Sequence, residues 1–293
     1  MSAIIPEDGE APVEQIKVLF TLHPGMDALD FIGPLEVLTH AQHNPKDSET
    51  KAFTCTFAAD SEHVVSAQGA SFRAHIDYKE AIRRLPEFDV VIVPGGGTDE
   101  ILKTQAQPLG LIKAFAELQR KNPMKERTLM SICTGSLFLA QLGILSGLSG
   151  TTHPDYMTKF EILCSQAATR DLAERTDVLD ERYVVNNCRF DLGEEIDENP
   201  YIRRRSDAGR RPSNARKGSN SWKESNTRRE SNARRMSLKL GGLRVITSSG
   251  IASGMDAALY LVSAMVSLDC ANEVARVMQF QWSKGVVVKG LDV

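Results

Sequence analysis

The chain has 293 residues, 42% hydrophobic and 25% charged, values of an ordinary globular protein large enough for one sizeable α/β domain or two small ones. Its opening stretch, MSAIIPEDGEAPVEQ, lacks a basic segment followed by an apolar one, so no secretory signal is expected, and no apolar run reaches membrane-span length. The net charge of −3 conceals an asymmetry: Ile202 to Lys239 hold 13 Lys/Arg against 3 Asp/Glu, net +10, so the rest of the chain carries −13.

After an arm over 1–15 expected to be flexible, Ile16–Leu22 (IKVLFTL) reads as a short buried strand. The Gly/Pro-punctuated HPGMDALDFIGP reads as a loop leading into a helix from about Leu35. Phe53–Ala59 is a second strand, and HVVSAQGASFRAHI alternates around a glycine turn as a hairpin. FDVVIVPGGG is a β-branched run ending in glycines, the pattern of a central parallel strand buried on both faces. One helix is expected from about Asp99 to Arg120, then the strand RTLMSIC and the helix TGSLFLAQLGIL. In SGTTHPDYMTKFEILCSQ a short extended piece precedes a helix with Pro154 near its first turn. RTDVLDERYVVNN supplies one or two strands. GGLRVITSSGIASGMDAALYLVSAMV adds a last strand, a Gly/Ser loop and a helix, and the helix ANEVARVMQFQW closes the chain.

Strands alternating with helices, and glycines just after strand ends, define an open, mostly parallel sheet with helices on both faces. In such sheets ligands bind at the carboxyl ends of the strands, where the loops after Leu22, Pro94 and Cys133 fall.

Residues 189–240 interrupt this pattern. An acidic stretch, FDLGEEIDENPYI, is followed by an Arg/Ser-rich tract almost without aliphatic residues, which cannot form a core and is expected to be disordered. Ser206, Ser213, Ser219, Ser231 and Ser237 each stand three residues after the first member of a basic pair. That spacing resembles substrates of basophilic protein kinases, and a few phosphates of roughly −1.5 to −2 each would neutralise the tract. With Trp222 its single aromatic, the tract lacks the stacking interleave of a nucleic-acid binder. A nuclear visit rests on its Arg content alone.

Five cysteines at irregular spacing argue against a disulfide framework or zinc cluster and for free thiols in a reducing, cytoplasmic setting. No metal or organic cofactor is expected. Cys55, Cys164, Cys188 and Cys270 fall inside strand or helix patterns and read as core residues. Cys133 differs, because it stands where strand becomes helix. The N–H groups and dipole of a following helix would stabilise a thiolate there, and the same placement serves the nucleophile of the Gly-x-Ser-x-Gly elbow. Spacing alone leaves Cys133 open between a packed core thiol and a nucleophile.

VVIVPGGG, SICTGSLFLAQLGIL, TTHPDYM and ITSSGIASGMDAAL, in that order, resemble the ThiJ/PfpI superfamily of class I glutamine-amidotransferase-like proteins. LDFIGPLEVL paired with Cys-Thr-Gly-Ser is similar to the isonitrile hydratase branch and to the sensor domains of some AraC-type regulators. The resemblance covers 16–188 and 241–293 and implies a flavodoxin-like α/β fold in one domain, with 189–240 as an insertion. It implies that Cys133 is the nucleophile, Asp30 the acid/base beside it and Thr134 a substrate-contacting neighbour. Gly95 and Gly96 match a turn whose N–H groups complete an anion-stabilising pocket. A small-molecule substrate and a homodimer follow from the same likeness. From the residues themselves, a helix N-cap or Asx-turn is the commoner reading of Asp30, and it does not exclude the acid/base role.

Peptidase-like members of the superfamily carry a histidine directly after the nucleophile, and Thr134 occupies that place here. His153 is followed by Pro154 where relatives have Trp, and is expected to support the site from behind rather than to react. His23 and His75 are expected to be partly exposed loop residues. Three functions fit these residues. One is a cofactor-independent hydratase that converts an isonitrile to an N-substituted formamide. Another is a non-enzymatic redox or ligand sensor. The third is a glyoxalase or deglycase, which fits less well because its first-loop Glu is matched only by Glu36, further along. Eleven residues after Trp282 are too few for a helix-turn-helix.

Overall fold

The structure, a computed structural model, describes residues 14–44, 47, 49–187, 202–204 and 240–289. The five candidate phosphorylation serines and Cys188 lie outside these residues, as does nearly all of the 189–240 insertion.

The described strands form a nine-stranded sheet in the order β11-β13-β10-β12-β7-β6-β1-β2-β5, with two two-stranded sheets beside it. β1 (Ile16–Thr21), β2 (Phe53–Ala59), β5 (Ile76–Asp77), β6 (Val90–Val93), β7 (Thr128–Ser131) and β12 (Arg244–Ser248) run parallel to one another. β10 (Tyr183–Asn187) is antiparallel to β12, and β13 (Gly285–Lys289) and β11 (Ile202–Arg204) follow its direction. The hairpin around Gly69 is β3 (His63–Val65) with β4 (Ser71–Arg73). β8 (Ser149–Gly150) pairs with β9 (Asp177–Val178).

The middle strands are apolar throughout because both their faces are covered. Along β6, Val90 and Ile92 enter one core while Val91 and Val93 enter the other. The first core is closed by α1 (Ala28–His40), α7 (Ser253–Met265) and α8 (Leu268–Val277). The second is closed by α2 (Tyr78–Arg83), α3 (Thr98–Thr104), α4 (Leu109–Lys121), α5 (Ser136–Gln141) and α6 (Met157–Arg170). Each fully buried Val, Leu or Phe side chain in these layers contributes roughly 1.5–3 kcal/mol.

Three elements depart from the sequence expectation. α1 begins at Ala28 rather than near Leu35, capped by Asp27, whose carboxylate accepts from the Leu29 N–H at 3.0 Å. Pro34 lies inside this helix. It lacks the N–H that would bond the Asp30 carbonyl but does not end the helix, because Phe31, Val37 and Leu38 pin both halves to the core. The single helix expected over 99–120 is two, α3 and α4, parted at Gln105 in a left-handed conformation and at Pro108. β13 was not anticipated after the last helix. Its Gly285 packs so closely on the Tyr183 ring that an added Cβ would collide with it.

Candidate active site

β1, β6 and β7 are neighbours in the sheet, so the loops at their carboxyl ends meet. Cys133 leaves β7 by way of Ile132 and opens a 3-10 turn, Cys133–Gly135, that runs into α5. Its φ is +54°, a left-handed conformation that disfavours any residue with a Cβ by about 1–2 kcal/mol. The turn is held on all sides. Ile132 N–H donates to the Val93 carbonyl at 3.0 Å and Gly135 N–H to the Ile132 carbonyl at 2.9 Å. The hydroxyls of Ser136 and Thr152 both donate to the Cys133 carbonyl, at 3.0 and 3.2 Å.

Asp30 approaches from α1. It is fully buried, and its Oδ2 accepts the Gly95 N–H at 2.9 Å. Oδ1 is buried and accepts no N–H from the protein. Asp27, not Asp30, caps the helix, which removes the capping alternative for Asp30. Thr134 is also buried, and its Oγ1 accepts the Gly96 N–H at 2.8 Å. The N–H groups of Gly95 and Gly96 are therefore both engaged by side chains, and the expectation that they form an oxyanion pocket is corrected. They position Asp30 and Thr134 instead.

The approach of these loops needs glycine. A Cβ on Gly95 would lie 2.6 Å from Thr134 N and 2.7 Å from Thr134 Oγ1. One on Gly135 would strike the Val93 carbonyl and lie 2.9 Å from that of Pro94. Gly95→Ala is expected to lower stability by about 1–3 kcal/mol and to reduce Cys133-dependent turnover at least tenfold, read by thermal melting and by the assay described below. An unchanged melting temperature would mean that the elbow yields more easily than its contacts indicate.

Burial lifts the Asp30 carboxyl from the ordinary 3.8 to about 7. The Gly95 N–H opposes this, the Asp27 charge adds to it, and the neighbouring Cys133 thiol pulls the other way. The carboxyl and the thiol face each other, and each acts on the other's proton. The Cys133 thiol is itself pushed up to about 12, first by burial and then by the Asp30 charge, against the one favourable contact from the Thr134 N–H. The thiolate expected from the elbow's helix is therefore not the favoured form here. The dipole of the short helix α5 is outweighed by burial and a carboxylate. The resting pair holds one proton on sulfur and a carboxyl poised near neutrality, and it titrates as a unit.

His153 lines the same cavity. Its Nδ1 accepts the Asp155 N–H at 3.2 Å, which assigns the proton to Nε2 on the side near Gly250. It caps a turn at the cavity wall. His75 is exposed and stacks on Phe57, with ring centroids 4.2 Å apart. His23, expected to be partly exposed, is buried: its Nε2 bonds the Gly96 carbonyl at 2.8 Å and its ring packs on Phe138. Burial lowers its pKa to about 4, so the ring is neutral and serves to tie the β1 loop to the glycine turn. The signal that could have revealed it is His23 directly after an unbroken apolar strand.

Cys133 and Thr134 open into a cavity of about 420 Å³, walled by Gly96 to Glu100, Asp27, His153, Tyr156 and Ile251, a size suited to a small molecule. Among the described residues no cluster of His, Cys, Asp or Glu forms a metal-ligand set, and no helix is long and apolar enough to cross a membrane.

An open, mostly parallel sheet that carries a strained cysteine at a strand-to-helix elbow, with a buried carboxyl beside it, defines a class of cysteine-centred α/β proteins. Within that class the chain belongs to the DJ-1/PfpI family, which residues 16–189 match. Isonitrile hydratase of Pseudomonas putida is 29% identical over 141 residues, covering 48% of this chain and 54% of that protein, so the likeness spans about half the length of that relative. Among solved structures, Schizosaccharomyces pombe DJ-1 superposes with a TM-score of 0.55 at 17% identity, over 91% of this chain and all of its own. A ThiJ/PfpI family protein from Pseudomonas syringae gives 0.54 at 16%, covering 96% of this chain and 82% of its own. An AraC family transcriptional regulator from Pseudomonas putida gives 0.55 at 14%, covering 90% and 99%. At these identities the superpositions speak to the fold alone.

Proposed function

We propose that the protein is a cofactor-independent hydratase that adds water to a small electrophilic carbon, with an isonitrile as the substrate the site suits best. The observation that carries this reading is the Cys133–Asp30 pair: a thiol and a carboxyl of raised pKa, buried together at the elbow, with no histidine adjoining the nucleophile.

An isonitrile R–NC requires both a nucleophile and a proton at one carbon. The Asp30 carboxylate takes the Cys133 proton and delivers it to the terminal carbon as sulfur attacks, giving the thioimidate R–N=CH–S–Cys133. A water then adds to that carbon, its proton passing through Asp30 to nitrogen. Collapse breaks the C–S bond, returns the last proton to sulfur and releases R–NH–CHO. The sum is R–NC plus water. Thr134 Oγ1 accepts from Gly96 and keeps its own hydroxyl proton to donate to the substrate.

The other readings fit less well. A peroxide sensor works through its thiolate, whereas this thiol is held protonated. Glu36, the nearest match to a glyoxalase glutamate, is on the exposed face of α1 and pairs with His40 at 3.0 Å, away from Cys133.

The test is formamide release from aryl and alkyl isonitriles by the purified protein. Turnover supports the reading. No turnover, together with stoichiometric oxidation of Cys133 by mild peroxide, would favour the sensor. The proton inventory also sets the pH dependence. The first step needs Asp30 as carboxylate, so kcat/KM should rise about tenfold per pH unit in acid, level off above about pH 7 and stay level until the thiol itself ionises. A profile that falls as pH rises through 7 would mean that Asp30 acts first as an acid.

A further inference from the structure

We infer that the site selects substrates bearing a positive charge near the reacting carbon and turns away carboxylate-bearing ones; this rests on the hydratase reading for its chemistry, though not for its electrostatics. Three carboxylates wall the cavity in which Cys133 lies: Asp27 at the cap of α1, and Asp99 and Glu100 in the first turn of α3. Asp27 is fixed by neutral donors, the Leu29 N–H at 3.0 Å and the Gln68 amide at 2.8 Å, so its charge is oriented but not cancelled. Glu100 has no ion-pair partner among the described residues. Asp99 pairs with Lys159, which partly balances its charge. His153 and Tyr156 complete the facing titratable groups, and Asp155 beside His153 adds a further carboxylate.

A second, independent observation lies at the floor. Asp30 is fully buried behind Cys133, its carboxyl facing the thiol, and its Oδ1 accepts no N–H from the protein. In the reactive form Asp30 is itself anionic, so an entering ligand meets negative charge from rim to floor. Opposite charges several ångströms apart attract each other even at a partly solvated site, and low-dielectric walls focus the field on the entering molecule. A permanent cation should therefore be favoured over an isosteric anion by tenfold or more at low salt.

The experiment has two arms. In the first, Cys133 of the full chain reacts with trimethylammonioethyl and with sulfonatoethyl methanethiosulfonate, and modification at that residue is followed by peptide mass spectrometry. The ratio of rates is compared with the ratio for 2-mercaptoethanol. The expected result is a cation preference at least tenfold above that of the free thiol, reduced about threefold by Glu100→Gln and reduced again in 0.5 M NaCl. A ratio equal to that of the free thiol, or no modification by the cationic reagent, would overturn the inference. In the second arm, kcat/KM is compared for a trimethylammonioalkyl isonitrile, its neutral tert-butyl isostere and isocyanoacetate, with the same order expected. Equal values across the three would overturn the inference for catalysis. Charge selection by the thiosulfonates with no hydration of any isonitrile would leave the charge inference standing and remove the hydratase reading.

Discussion

Asp30→Asn should give a protein that is more stable than the wild type and close to inactive. The native state holds the Asp30 proton up to about pH 7, whereas the unfolded chain releases it near 3.8. Folding therefore loses stability as pH rises between those two values, and the full penalty, on the order of a few kcal/mol, persists above pH 7. Asparagine removes that penalty and still offers an oxygen to the Gly95 N–H. The melting temperature of Asp30→Asn should exceed that of the wild type by several degrees at pH 8, and the gap should close towards pH 4. Turnover should fall by 10²–10⁴, the usual contribution of a positioned acid/base. A variant that melts lower at pH 8 would mean that Asp30 is a structural carboxylate rather than a functional one. A buried carboxyl that costs stability is what a trade of stability for activity would leave at this position.

Cys133→Ala should abolish formamide release altogether, because no other described cysteine opens into the cavity. It should leave the fold intact: alanine keeps the strained φ of +54°, and the two hydroxyls on the Cys133 carbonyl are unaffected. Circular dichroism and the isonitrile assay on one preparation check both statements. Residual activity above about one part in a thousand would point to water attack promoted by Asp30 alone.

Much of the fold was legible in the chain. The central strands show as unbroken β-branched runs because both faces are covered, and Cys133 shows as the residue between such a run and a helix. The boundaries of α1 were obscured by Pro34, which reads as a breaker when only local preference is weighed; tertiary packing of Phe31 and Val37 overrides it. β13 left a signal in GVVVK, a valine run bounded by glycine and lysine, but a five-residue strand is weakly specified without its partners β10 and β11. The site was legible in its members and less so in their state. Nothing in CTGS reveals that Gly95 and Gly96 give their N–H groups to Asp30 and Thr134, residues 65 and 38 positions away. Nor can a local pattern show that burial outweighs the elbow's helix and keeps the thiol protonated. The same holds for His23, whose burial depends on Gly96 and Phe138, both distant in sequence.

In the proposed reaction, Cys133 sulfur forms a bond to the substrate carbon. Rapid quenching of the protein during isonitrile turnover, followed by mass spectrometry of the peptide that contains Cys133, tests it most directly. The predicted result is a transient mass gain of one whole isonitrile on that peptide, since S–H adds across carbon with nothing lost, and no gain in Cys133→Ala. Turnover with Cys133 unmodified at every quench time would contradict covalent attack by sulfur.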